Sequence, residues 1–137
     1  MALNVPLLRS SFELVMDLEP TFIKRFYEIL FARHREARPL FSRNLRGQQE
    51  KMLTDALVAV LDHLEDAPWL SQTLGALGAK HVDYGVTPEM YGWVGDALLA
   101  TLSEVAGPAW NSELHAAWSE AYGAISGLMI DGARGRE

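Results

Sequence analysis

A chain of 137 residues without cysteine is long enough to bury a substantial core, and it excludes disulfides, thiolate metal centres, iron–sulfur clusters and cysteine nucleophiles together. Apolar residues make up 49% and charged residues 22%, the balance of a folded chain, and the net charge of −6 argues against a nucleic-acid partner, which needs a clustered excess of cations. No apolar run approaches the roughly 20 residues that span a bilayer, and the opening Met-Ala-Leu-Asn-Val-Pro is not a secretory leader, so one cytoplasmic domain over 1–137 is expected.

Apolar residues recur at helical spacing from residue 5 onward, and no segment alternates as a strand would, which predicts an all-α fold. Leu7, Leu8, Phe12, Val15 and Met16 form the first stripe, ending near Glu19-Pro20, where Pro20 is expected to open the next helix at its first position. Phe22, Phe26, Ile29, Leu30 and Arg33 carry that second helix, and Pro39 interrupts it before Leu40-Phe41. The polar, Gly-ended run 42–47 reads as a loop. Met52, Leu53, Ala56, Leu57, Val60, Leu61 and Leu64 then give a helix, and beyond Ala67-Pro68 a further one carries Leu70, Leu74, Leu77 and His81. Thr87-Pro88-Glu89 supplies an N-cap, a first-turn proline and an acid at the positive helix end. That helix runs to about Ala106, Gly107-Pro108 punctuates it, and a last helix bears Leu114, Trp118, Ala121, Ile125, Leu128 and Met129.

Without cysteine, the four histidines are the leading ligands for a borderline metal or a haem. His34 and His115 sit among polar neighbours and read as surface residues, and His63 lies near a helix C-terminus, where an imidazole meets the negative end of the dipole. His81 stands apart: with Leu74 and Leu77 it falls on the apolar face of its helix. By itself this position suits a hydrogen-bonded core histidine at least as well as a ligand. No second histidine lies three or four residues away, so a dedicated zinc site is disfavoured and a single-ligand haem is the better match. Gly75, Gly78 and Gly85 lack the spacing of a phosphate loop, and no Gly-x-Ser-x-Gly elbow exists.

The run from Phe26-Tyr27 to Arg38-Pro39-Leu40-Phe41 resembles the B helix and CD corner of bacterial haemoglobins related to flavohaemoglobins. Lys80-His81, Gly85-Val86, Tyr91, Val94-Gly95 and Leu98-Leu99 resemble the same family's proximal and G helices, and Trp118 to Gly123 its H helix. The resemblance implies a globin fold with helices A, B, C, E, F, G and H and a loop in place of D. It implies haem b, iron protoporphyrin IX, held by His81, with Phe41 stacked on the haem and Val86, Tyr91, Val94 and Leu98 on the proximal side. Tyr122 is a weaker candidate for that wall, and Lys80 and Arg46 are candidates to meet the propionates. On the distal side it implies Tyr27 and Gln49 as hydrogen-bond donors, with Leu53 one turn further on; Gln48 takes the place of Gln49 if the helix shifts by one residue. The family's H-helix glutamate position falls on Ala133, with Asp131 two residues before it, which favours binding of dioxygen, nitric oxide or carbon monoxide over turnover. Nitric oxide dioxygenase activity would require a separate reductase. A gas or redox sensor and a haem-free structural globin are the other readings, and a monomer or a homodimer is expected.

Overall fold

The computed structural model describes residues 4–41, 46–83 and 86–133, with side chains placed for all of these except 39–41, 46–50, 83 and 133. Six α-helices follow one another: α1 (Val5–Leu18), α2 (Phe22–Arg33), α3 (Arg46–Asp62), α4 (Ala67–Asp83), α5 (Pro88–Ala106) and α6 (Ser112–Ala133). A 3₁₀ segment, Arg35–Phe41, leads from α2 toward α3, and another, Gly107–Ala109, joins α5 to α6. The described residues contain no strand, as the helical period predicts.

Caps and turn residues set most boundaries. The Asn4 side chain accepts from Leu7 N at 3.3 Å to open α1. Pro20 does not open α2: the Glu19 carboxylate accepts from the backbone N–H of Thr21 at 3.2 Å and from its hydroxyl at 2.7 Å, closing a turn that holds Pro20 ahead of the first helical residue, Phe22. Those two hydrogen bonds hold the Glu19 carboxyl below the usual range. The predicted loop 42–47 is shorter than its polar composition suggested, because α3 already includes Arg46 and Gly47; residues 42–45 lie outside the described residues. Gly107, at φ +57°, takes the left-handed conformation that ends α5.

All six helices contribute to the core, α3 through Val60 and Leu61, α4 through Leu70 and Leu74, and α6 through Trp118. Leu8, Phe12, Val15, Phe22, Phe26, Leu30 and Leu102 are buried there, with Phe12 edge-on to Phe22 at 5.9 Å. Its polar groups are partnered: Trp118 Nε1 donates to Ser11 Oγ at 2.9 Å, Ser11 donates on to Leu7 O at 2.7 Å, and Thr101 donates to Ala97 O. Arg9 of α1 donates to Leu61 O at 2.9 Å, satisfying a carbonyl at the end of α3. Arg25 of α2 grips Glu104 of α5 bidentately at 2.6 and 2.8 Å, which fixes the register of the two helices.

The most extensive helix contact is between α4 and α6. Glycine permits it. A Cβ on Gly78 would run into the backbone of Met129, 2.7 Å from its Cα, and one on Gly132 would run into the backbone of Gly75. The two helices therefore meet backbone to backbone along this seam. None of the described helices is long and apolar enough to cross a membrane.

Candidate functional site

His81 lies in the last turn of α4, half-buried, on the same face as Leu74 and Leu77. Its Nδ1 is 2.8 Å from the carbonyl oxygen of Leu77, one turn earlier. A carbonyl only accepts, so Nδ1 carries the proton and, in the neutral ring, the lone pair resides on Nε2. The backbone carbonyl thus selects the tautomer and restrains the ring rotation, as a supporting group does for a metal-ligating imidazole. Val86 N donates to His81 O at 2.9 Å, tying the residue to the segment that leads into α5.

α5 supplies the neighbours of this ring. Tyr91 lies 6.2 Å from His81, centroid to centroid, with the rings inclined by 27°. Tyr122 of α6 donates to the Tyr91 carbonyl at 2.6 Å, and burial pushes the hydroxyls of both tyrosines up, that of Tyr122 strongly. Gly95 makes room for this contact, since a Cβ there would lie 2.6 Å from Tyr122 Cε2. Val94 is half-buried, Leu98 buried and Val86 half-buried, whereas Lys80 is exposed.

On α2, Tyr27 is buried between Phe26, 5.0 Å away, and Phe31, which stacks on it at 5.8 Å. Leu53 of α3 is partly buried against the core. The helix that carries Tyr27 packs on both α3 and α5, while the one that carries His81 packs on α6. The side chains of Phe41, Arg46, Gln48 and Gln49 lie outside the described residues, as does the side chain of Ala133. Asp131 is exposed.

Of the other histidines, one departs from its expected setting, while His63 lies just past the end of α3, as expected. His34 is not a surface residue: only 24% of its side chain is exposed, because the ring stacks on Trp93 at 5.5 Å, and its Nε2 is buried 3.5 Å from Asp96. His63 repeats the geometry of His81, with Nδ1 2.8 Å from Ala59 O, but its ring is stacked face to face on Trp69 at 3.9 Å. His115 is exposed, as expected. The Leu77 carbonyl, the Gly78–Met129 seam and the Gly95–Tyr122 contact are supports that hydrophobic periodicity did not single out. Only the first had a signal, since a histidine late in a helix can reach the carbonyl four residues before it.

No group of three or more metal-ligating side chains occurs among the described residues. The donor set is a single imidazole with its Nδ1 engaged and the Tyr91 ring beside it, which fits a haem held by one protein ligand and not a polydentate metal site.

The globin family model matches residues 24–129. The chain is a globin. This globin is 36% identical over 109 residues to a flavohemoprotein of Rhizobium meliloti and 38% identical over 109 residues to one of Bordetella pertussis. Each match covers 78% of this chain and only 27% of the relative, so the globin spans about a quarter of the length of those proteins. Among solved structures it is similar to a bacterial globin from Campylobacter jejuni, with TM-score 0.80 and 24% identity over 95% of this chain and 94% of that one. A Pseudomonas aeruginosa protein described as structurally highly homologous to a human haemoglobin gives TM-score 0.84 and 21% identity, covering 94% of this chain and 97% of that one. An engineered carbene transferase derived from a Rhodothermus marinus globin described as a nitric oxide dioxygenase gives 0.81 and 26%, covering 95% and 90%. The architecture is therefore the globin fold expected from the sequence, and membership in this family supports haem-based gas binding as the general function.

Proposed function

We propose that this globin holds haem b through His81 and reversibly binds a diatomic gas, dioxygen first, in the cytoplasm. The observation that carries the reading is the globin match over residues 24–129, within which His81 keeps its Nδ1 2.8 Å from the Leu77 carbonyl and so its lone pair on Nε2. Haem supplies the iron at which the gas is held. Leu77 O restrains the His81 ring and Tyr91 covers one of its flanks. Tyr27, clamped between Phe26 and Phe31, is the distal donor, and its hydrogen bond favours dioxygen over carbon monoxide because bound dioxygen carries more negative charge. Gln49 is the second donor in this reading, and Phe41, Leu53, Val86, Val94 and Leu98 form the apolar walls, with Lys80 at the mouth. The relatives' name, flavohemoprotein, favours a flavin reductase as the source of electrons, and the nitric oxide dioxygenase description of the Rhodothermus marinus protein favours nitric oxide as a further reactant.

The test is haemin titration of the purified chain followed by spectra of its ferric, ferrous and oxygenated forms. The expected result is a Soret band with one haem per chain, lost in His81→Gly and restored when imidazole is added. A chain that takes up no haemin, or a His81→Gly variant whose spectra match the parent's without imidazole, would overturn the assignment. A Tyr27→Phe variant is expected to release dioxygen roughly tenfold faster, the equivalent of one hydrogen bond of about 1.4 kcal/mol. An unchanged off-rate refutes Tyr27 as the donor.

A further inference from the structure

The charge of this globin is unevenly spread. Residues 33–46 carry Arg33, Arg35, Arg38, Arg43 and Arg46 against Glu36 alone, a net +4, while the rest of the chain sums to −10. A local excess of cations on an acidic protein steers a partner of opposite sign toward it.

Among the described residues of this run, Arg35 and Arg38 line, with Phe31, a cleft of about 360 Å³. Arg33 is committed to Asp96 at 3.1 Å. Arg35 and Arg38 are exposed, and neither has a carboxylate in ion-pair range among the described residues. The Arg38 guanidinium lies over the Phe31 ring, 5.5 Å from its centroid, which holds the charge against the cleft wall. Phe31 in turn stacks on Tyr27 at 5.8 Å. The cleft is thus separated from the tyrosine of the proposed gas site by a single aromatic ring.

We propose that this arginine-lined cleft is the docking surface for an acidic electron-donor protein carrying a reduced flavin. The proposal rests on the haem reading for its purpose, but not for its binding chemistry, which is the pairing of Arg35 and Arg38 with carboxylates on the donor. The step it serves is a one-electron transfer: the reduced flavin gives up one electron and ferric iron becomes ferrous, with no bond made or broken. Two guanidiniums suit such a partner, since each pairs bidentately with a carboxylate and a short-lived complex needs steering more than buried area.

The experiment uses flavodoxin, an acidic flavoprotein, as the probe. Binding of labelled flavodoxin is followed by fluorescence anisotropy, with the apo and the haemin-loaded globin, at an ionic strength of about 20 mM, where screening extends over roughly 20 Å. The expected result is saturable binding that Arg38→Glu weakens roughly tenfold or more, while Lys24→Glu, the same change of charge placed on α2 away from the cleft, weakens it about twofold or less. Arg38→Gln, which removes the charge without reversing it, falls between them. Equal weakening by Arg38→Glu and Lys24→Glu, or no saturable binding at all, overturns the proposal. With loaded globin, Arg38→Glu slows reduction by reduced flavodoxin but leaves reduction by uncharged dihydroriboflavin unchanged; slowing of both reactions alike also overturns it. Because the apo protein is titrated in parallel, failure to take up haemin refutes the proposed function while the docking surface is still measured.

Discussion

Replacing Gly78 by Ala tests the backbone-to-backbone seam that positions the helix carrying His81. A Cβ at residue 78 would lie 2.6 Å from the carbonyl carbon of Met129 and 2.7 Å from its Cα. Ordinary carbon contacts are near 3.5–4.0 Å, so α4 must move away from α6 by about 1 Å, since the atoms in the way are helical backbone and have no rotamer to change. Overpacking of this kind costs about 1–3 kcal/mol, against a gain of about 1 kcal/mol from replacing glycine in a helix interior. Gly92→Ala isolates the second quantity: Gly92 is also helical, but a Cβ there meets nothing within 4 Å, so it should show the gain alone. The two variants are therefore expected to differ by about 1–3 kcal/mol, with Gly92→Ala above the parent and Gly78→Ala level with it or below. Urea unfolding of the haem-free chains reads this as a midpoint difference on the order of 1 M. Gly78 is three residues before His81, on the same side of the helix, so the displacement also reaches the imidazole and haemin affinity should fall. If Gly78→Ala is as stable as Gly92→Ala, the close approach of α4 and α6 is refuted.

Two further outcomes follow from contacts around the core. Burial raises the Tyr91 and Tyr122 hydroxyls above their value in the unfolded chain, so the stability these groups contribute is complete below pH ~10 and is lost as pH rises toward their folded values, by about 1.4 kcal/mol per pH unit for the deeply buried Tyr122. Phenolate absorbance should show Tyr122 ionising only with unfolding, and Tyr122→Phe should flatten the alkaline decline; an unchanged slope refutes this. Trp118→Phe keeps the packing against Phe12 but removes the donor to Ser11 Oγ, and is expected to cost about 1 kcal/mol in chemical denaturation, with the loss reduced when Ser11→Ala is combined with it.

Much of the fold was legible because each helix carries a continuous apolar stripe, and Pro68, Thr87-Pro88 and Gly107 act within one or two residues of themselves; Pro39 does not, since α2 already ends at Arg33 and the 3₁₀ segment runs through the proline. Pro20 was misplaced for a local reason that composition does not reveal: the Glu19 side chain, not the proline, closes the turn. His34 was misread for a non-local one, since its cover is Trp93, distant in sequence, and a polar neighbourhood along the chain says nothing of a ring arriving from α5. The glycine seam was equally out of reach. Gly75 and Gly78 mark a narrow face, but nothing in the sequence says that Met129 and Gly132 occupy it.

The pair His63 and His81 shows what geometry alone contributes to assigning a ligand. Both rings place Nδ1 2.8 Å from the carbonyl four residues earlier, so both are held in the tautomer with the lone pair on Nε2. The clamp is therefore a property of a histidine near a helix end, and cannot by itself mark a haem ligand. What differs is the company. His63 is sealed on one face by Trp69 at 3.9 Å in the turn between α3 and α4, a contact that uses the imidazole as a flat packing surface. His81 has Tyr91 at 6.2 Å, too far for such a seal, and its backbone carbonyl is tied to Val86 at the approach to α5. The consequence is a contrast that one titration decides. His63→Gln should lose about 1 kcal/mol of stability through the stack and leave haemin uptake and the Soret maximum unchanged, whereas His81→Gln should abolish the parent spectrum at little cost to the apo fold. If His63→Gln alters the spectrum as His81→Gln does, the distinction drawn from ring packing fails and the clamp geometry no longer singles out either residue.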